Sequence, residues 1–533
     1  MIGNSPPEWA LIQVSVIIFR FTPLFYLLPL LALSAYSIYD PFATPHHTAQ
    51  AVLIGLLLAE AVFYVFLYRP QLRVAATTEA VYPKALTKAE RQALFQQCLA
   101  HAHDTALYLR GWFLNAPLDD IRRDNVREFL LWAFFETSDE DAAAAHNAEL
   151  DGYVATLEDR MGRRFAPGRG TARSLRLTLE PVTTAYRSLA WYVVIALVDG
   201  VTHAFLRAHG FRFYGRSSAA EVRATFPPRP QELFSTYKSP APALGYWYYG
   251  PNSQQQQQHQ NAKPRTRASA AAEQKQGQQL PVVFFHGIGV GLLTYLRFLF
   301  DLVKAANAQS AQDGPGVRII AVEMLPVSFR LTSPPLDKRA FLAAFASILD
   351  AHGWDEFAIV SHSYGSVPTT HILTADGEHT ALSRRVEAAT LVDPVTIMLQ
   401  LPHVAYNFTR RRPRTAAEWQ LWYFASADVG VATVLGRHFH WRQNIIWKED
   451  LLRRPGGGGH RRVTVSLAAK DIIVNAPAVA EYLQEPEDDA AEGGQESRVG
   501  VLWFPELDHA QVFDTPSDYN KIIKCVLAEG KED

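Results

Sequence analysis

Hydrophobic and polar positions divide the chain into three stretches. Phe21 to Tyr39 is apolar and uncharged, with Pro23 and Pro29 inside it, and Ala49 to Tyr68 is a second such run interrupted only by Glu60. Each is about the 20 residues a helix needs to cross the hydrocarbon core of a bilayer. The short connection carries Asp40, His46 and His47 but no Lys or Arg, whereas Arg20 precedes the first run and Arg69, Arg73 and Lys84 follow the second. Basic flanks stay on the cytosolic side, so residues 1–70 read as a transmembrane helical hairpin whose two outer ends face the cytosol. The alternatives are a cleaved signal peptide and a buried hairpin. Met1 to Trp9 has no basic residue, which a signal peptide normally begins with. Glu60 is expected to face the partner helix or an interface.

Residues 71–235 form a helical region without a recognisable role. Leu86 to Arg164 is helical in period and polar-faced. Thr87-Lys-Ala-Glu90 has the form of a capping box, and Ser138-Asp-Glu-Asp141 opens a further helix. His101 and His103 read as surface residues. Ser188 to Arg207 is apolar but carries Asp199 and His203, which favours a buried or membrane-apposed helix over a third span.

Residues 251–279 hold a run of five glutamines and an Ala/Gln-rich tail, too polar to bury a core and read as a disordered insertion. The glycine run after Pro455 and the acidic stretch Glu485 to Glu496 resemble it. With these set aside, 236–530 has a regular rhythm. Strands are predicted at Leu244–Tyr249, Pro281–Phe285, Val317–Glu323, Phe357–Val360, Ala388–Val392, Val463–Leu467 and Val499–Phe504. Helices are predicted at about Leu292–Ala308, Leu336–His352 and Ser517–Glu529. Uniformly apolar strands alternating with helices predict an α/β architecture around a mostly parallel sheet.

Composition narrows the function. Hydrophobic residues make up 48% of the 533, too many for a disordered chain. Lys and Arg total 51 against 53 Asp and Glu, which gives no overall nucleic-acid signature. Cys98 and Cys525 are the only cysteines, so a disulfide framework and a cysteine-based zinc cluster are both excluded. No metal or organic cofactor is implied.

The chemistry gathers after strand ends. The strand at Phe357 runs into Ser361-His-Ser363-Tyr-Gly365 and then a helix, the setting of a nucleophile elbow. Gly365 is the small residue two after the central serine, and Ser361 stands where a glycine is usual. Another strand ends in His286-Gly287-Ile288-Gly289, placed to build an oxyanion hole from the N–H groups of Ile288 and Tyr364. Asp471 follows the strand Val463–Leu467, and His509 follows the last strand.

With these motifs in this order, residues from about Leu244 to Leu527 resemble the α/β-hydrolase superfamily. The resemblance implies Ser363 as nucleophile, His509 as general base and acid, and Asp471 as the group orienting the imidazole, with chemistry through an acyl-enzyme. Asp393 in Val392-Asp-Pro394 is the rival acid. Asp508 reads as a surface-loop residue, and His286 and His362 as structural. His509 to Asp514 also spells H-x4-D, a spacing associated with lysophospholipid acyltransferases in one branch of the superfamily; Asp514 is otherwise expected to cap or precede the last helix.

Thr396–Arg462 falls where such folds insert a cap. It holds eleven Lys/Arg against four Asp/Glu, a net of +7, interleaved with Trp419, Trp422, Tyr423, Phe424, Trp441 and Trp447. Two readings stand: contact with an anionic bilayer face, or a cap with solvated arginines and tryptophans packed inside. Asn407-Phe-Thr409 is a glycosylation sequon only if this domain is lumenal. The expectation is a membrane-anchored serine hydrolase of hydrophobic esters, its catalytic domain cytosolic and the bilayer its partner. The rivals are an acyltransferase using the same triad and a non-catalytic membrane scaffold.

Overall fold

The computed structural model describes residues 2–39, 46–137, 144–250, 279–309, 316–456, 459–485 and 499–528. The Gln-rich insertion apart from Gln279, the Ser138 helix start, residues 40–45 of the hairpin connection, the middle of the glycine run and the acidic stretch beyond Glu485 lie outside the described residues.

The C-terminal half is built on a nine-stranded sheet: β1 (Arg212–Gly215), β2 (Tyr237–Lys238), β3 (Tyr246–Tyr249), β4 (Val282–Phe285), β5 (Ile319–Val322), β6 (Phe357–His362), β7 (Val386–Val392), β8 (Arg462–Ala468) and β9 (Gly500–Phe504). Their order is β2-β1-β3-β5-β4-β6-β7-β8-β9. The six strands from β5 to β9 are parallel, and β3 pairs antiparallel with both β1 and β5. Strict alternation explains why the central strands are apolar throughout. Val282, Phe284, Ile319 and Ala321 face the helices Leu296–Gln309 and Pro516–Leu527, while Val283, Phe285 and Ile320 face the helix Lys338–His352. Both faces are covered, so every position is buried, each fully buried Leu, Ile or Phe being worth about 1.5–3 kcal/mol. Asp337 caps the helix Lys338–His352 by accepting the Ala340 N–H at 2.8 Å, and Gly353 ends it at φ +64°. The result is a mostly parallel sheet covered by helices on both faces, with a helical segment inserted between β7 and β8.

Two strands were not predicted, and the first of them lies where sequence alone suggested helix. β1 and β2 are four and two residues long, and β1 lies before residue 236, so the sheet reaches into the helical region. Strands this short carry too little alternation to be seen.

Three helices are long and apolar enough to cross a membrane: Pro6–Tyr39, His47–Thr77 and Leu189–Ala208. The first kinks at Phe21, where the backbone leaves helical geometry two residues before Pro23. The three meet at one level. Thr22 Oγ1 lies 2.8 Å from Ser188 Oγ, and Phe19 O accepts the Ser188 N–H at 2.9 Å. Glu60 accepts the Leu189 N–H at 2.9 Å and the Tyr186 hydroxyl. Its carboxylate therefore satisfies an otherwise orphaned donor at the start of the third helix. Beyond that level the first two helices pack as a pair with Leu24, Leu28, Leu31, Val52, Ile54 and Leu58 exposed. The third helix instead lies along the half that carries the sheet. Its Asp199 pairs with Arg330 and Arg229, its His203 packs on Trp247, and its outer face exposes Val193, Leu197, Val201 and Phe205.

Candidate active site

Ser363 sits where β6 turns into a helix, with φ +51°, a left-handed conformation uncommon for any residue but glycine. That turn presses the following helix against β4. A Cβ on Gly365 would lie 2.4 Å from Phe285 O, and one on Gly287 would lie 2.9 Å from Ser363 Cβ and 2.7 Å from His362 Nδ1. Both glycines are sterically required. Gly365→Ala is expected to cost about 3 kcal/mol or more, because the obstruction is backbone that cannot move aside; the thermal unfolding midpoint reads it. Gly289 is different: its Cβ would meet nothing within 4 Å, so no steric demand explains it.

The three predicted side chains meet. Ser363 Oγ lies 2.9 Å from His509 Nε2, and His509 Nδ1 lies 2.7 Å from Asp471 Oδ2. All are shielded: the side chains of His509 and Asp471 are 5% and 1% exposed. The other Asp471 oxygen accepts the N–H groups of Ile473 and Val474 at 2.7 and 2.9 Å, which fixes the carboxylate on the loop after β8. Burial alone would lower the His509 pKa, but the Asp471 carboxylate, with Asp393 and Asp508 nearby, raises it above that of a free imidazole.

The rival acid is committed to backbone donors. Asp393 follows β7 at φ +44°, and its oxygens accept the N–H groups of Ala468 and Ala510, each at 2.9 Å. Burial and the neighbouring Asp471 raise its pKa to about 7. It ties the loop bearing His509 to the end of β8. Asp508 is not the surface residue its setting suggested. It is 7% exposed, and its Oδ1 accepts the N–H groups of His509 and Ile472, joining the loops that carry the imidazole and its acid. A carboxylate flanking a histidine gave no sequence cue to that bridging role. Asp514 is exposed, its N–H bonded to Gln511 O just before the last helix.

The remaining motif residues support the site. His286 is fully buried: Nδ1 is 2.8 Å from Gly287 O, and Nε2 accepts the Met324 N–H at 2.9 Å. Burial lowers its pKa to about 4, so it is a neutral brace. Tyr295 OH accepts the Gly287 N–H and lies 2.7 Å from His362 Nδ1, locking the oxyanion strand to the elbow. Ser366 Oγ donates to Ser363 O and accepts the Val395 N–H; Ser361 is fully buried between Phe285 and Leu391. His362, Asp393 and His509 bring metal-ligand atoms within 4.8 Å of one another, but His509 Nε2 is engaged by Ser363 and both Asp393 oxygens by backbone.

Above Ser363 opens a cleft of about 820 Å³ bounded by Ile288 and Tyr364. Its walls are Val404, Phe408, Leu435, Phe439 and Trp441 from the cap segment, facing Trp112, Trp132 and Leu177 from the helical region. The region that sequence left without a role thus supplies one side of the wall. The signal lay in Phe129–Phe135 (FLLWAFF), seven consecutive apolar residues that no polar-faced helix can expose. Trp132 is anchored by Thr178 Oγ1 at 2.7 Å, Trp112 by Gln400 O at 3.0 Å, and Trp441 by Ala133 O at 2.9 Å.

Much of the basic charge in the cap segment is paired internally. Arg410 pairs with Glu180, Arg442 with Glu136 and Arg454 with Glu387, while Arg461 donates to the carbonyls of Val386, Leu451 and Ser383. Asn407 donates to Ile473 O at 3.0 Å and accepts from Arg411, so the sequon asparagine is committed to the loop after Asp471.

No family model matches the sequence, and no curated protein does. Solved structures similar to this chain include a bacterial membrane phospholipase A, 12% identical with a TM-score of 0.33 over 63% of this chain and 94% of that one. The carboxylesterase CesB of Bacillus subtilis is 10% identical with a TM-score of 0.34 over 64% of this chain and 100% of that one. A carboxylesterase of Nitrososphaera gargenis is 13% identical with a TM-score of 0.31 over 54% and 94%.

Proposed function

We propose that the protein is a membrane-anchored serine hydrolase that cleaves hydrophobic carboxylic esters, with its catalytic half on the cytosolic side of the bilayer. The observation that carries this reading is the unbroken chain Ser363 Oγ, His509, Asp471 at the base of an aromatic cleft. With Nδ1–H donated to Asp471, His509 presents a basic Nε2 to the Ser363 hydroxyl and takes its proton as Oγ attacks the ester carbonyl. The N–H groups of Ile288 and Tyr364 are the proposed oxyanion donors, each worth about 2.7–4 kcal/mol to the transition state. His509 then returns the proton to the leaving alcohol. Water, deprotonated by the same imidazole, releases the acid from the acyl-enzyme.

The cleft supports an apolar acyl group, since its walls offer tryptophan, phenylalanine and leucine near the nucleophile. The apolar hairpin, and Arg20, Arg69 and Arg73 exposed on its flanks, support the anchoring and the cytosolic orientation. Turnover of a panel of acylglycerols and phospholipid-derived esters by wild type and Ser363→Ala, with and without a lipid alcohol acceptor, tests the assignment. Free fatty acid as the main product supports hydrolysis, and acyl transfer to the alcohol in preference to water contradicts it.

Because His509 must be neutral to act as base, a raised pKa places the acid limb of the profile at higher pH than a free imidazole would give. Activity is expected to fall as pH drops through that limb. In Asp471→Asn only burial and the weaker neighbours remain, so the inflection moves to lower pH. The pH dependence of kcat/KM on a short soluble ester measures both.

A further inference from the structure

A second groove, of about 480 Å³, adjoins the catalytic cleft and shares Leu177, Thr409 and Leu435 with it. One lip is the segment Glu180–Thr183; the other carries Arg410, Trp422 and Ala427. These lips are continuous with the surface that holds the first membrane helix. Ala185 N–H donates to Ala427 O at 2.8 Å, and Ile12 and Val16 pack on Ala185, Tyr423 and Ala427. The same helix exposes Leu11, Val14 and Ile18 on its outer side. The groove therefore runs from the wall of the cleft above Ser363 toward the apolar collar around the anchor. Across it the Arg410 guanidinium pairs with Glu180, both side chains about a quarter exposed. The passage is narrow beneath them: a Cβ on Gly436 would lie 3.1 Å from Val182.

We propose that this groove is a side entrance by which a membrane-resident ester threads its acyl chain from the bilayer to Ser363, with the Arg410–Glu180 pair as its latch. The proposal rests on the esterase reading of Ser363 and adds the route and the substrate class: long-chain esters dissolved in the membrane. An ion pair across a passage whose walls include Leu177, Val182, Trp422 and Leu435 suits this use. It is partly hydrated, so parting its halves costs little. The methylenes of the arginine stem offer a passing chain an apolar side.

The test uses the full-length protein in phosphatidylcholine vesicles, with Glu180→Cys and Arg410→Cys introduced together in a Cys525→Ser background. A short bis-methanethiosulfonate linker then joins the two lips, and thiol reductant releases them. Umbelliferyl oleate in the vesicles and umbelliferyl acetate in water share a leaving group and differ in acyl chain. Linking is expected to slow oleate turnover by about tenfold or more while acetate turnover stays within about twofold, and reductant restores the oleate rate. Unchanged oleate turnover in the linked protein overturns the side entrance, as does an equal loss for both esters. Absence of turnover of either ester by the unmodified wild type overturns the esterase reading instead, and the entrance with it.

Discussion

Ser363→Ala is expected to lower kcat/KM for a short-chain ester by about 10⁴-fold or more, with the thermal unfolding midpoint nearly unchanged. At 1.36 kcal/mol per factor of ten, that is about 5.5 kcal/mol of transition-state stabilisation. The loss follows from geometry, since the Ser363 hydroxyl lies 2.9 Å from His509 Nε2. Ser366 donates to Ser363 O, and Ser361 lies fully buried within the sheet. Alanine keeps the elbow's volume and removes only the attacking oxygen. The left-handed conformation at φ +51° is no better suited to serine than to alanine, so folding gives no reason for the wild-type residue. A residual rate above water is expected, because the proposed amide donors and the cleft remain. Parallel measurement of KM separates the two roles: kcat should collapse while KM changes little.

Asp471→Asn is expected to lower kcat by about 10⁴-fold while Asp393→Asn lowers it far less, although both carboxylates lie near the imidazole. Asp471 Oδ2 lies 2.7 Å from Nδ1, and an amide there would favour the tautomer whose Nε2 carries a proton and cannot accept one from Ser363. Asp393 spends its two oxygens on Ala468 and Ala510 N–H. Its replacement leaves one of those donors facing an amide NH2, a cost of about 1–3 kcal/mol in stability. The two variants should therefore fail differently, one in kcat and the other in unfolding midpoint. Comparable losses of kcat in both would remove Asp471 from its proposed role.

How much of this was visible in the sequence depends on the range of each interaction. The elbow, the oxyanion strand and the order Ser363, Asp471, His509 are local: each needs only a strand end and a few following residues. The central strands were equally plain, because burial on both faces makes Val282–Phe285 or Phe357–Val360 apolar at every position. β1 was hidden by its length and by its start at Arg212, which donates to Gly250 O. The cleft was hidden for another reason. Trp132 and Trp441 lie on walls about three hundred residues apart in sequence, and no periodicity connects them. The cap charges misled similarly. Eleven basic residues over sixty-seven positions look like a surface, yet Glu180, Glu136 and Glu387, all outside that segment, pair with three of them. Asp508 misled because a buried carboxylate accepting two backbone N–H groups has no sequence signature of its own. Asp199 and His203 were informative, marking the inward face of a helix whose other side stays apolar.

The most direct test is to react the folded, full-length protein with a fluorophosphonate and locate the adduct by peptide mass spectrometry. A single adduct on Ser363, strongly diminished in His509→Ala, is the predicted result. Failure of the folded wild type to react, or an adduct on a different serine that persists in Ser363→Ala, would contradict the account.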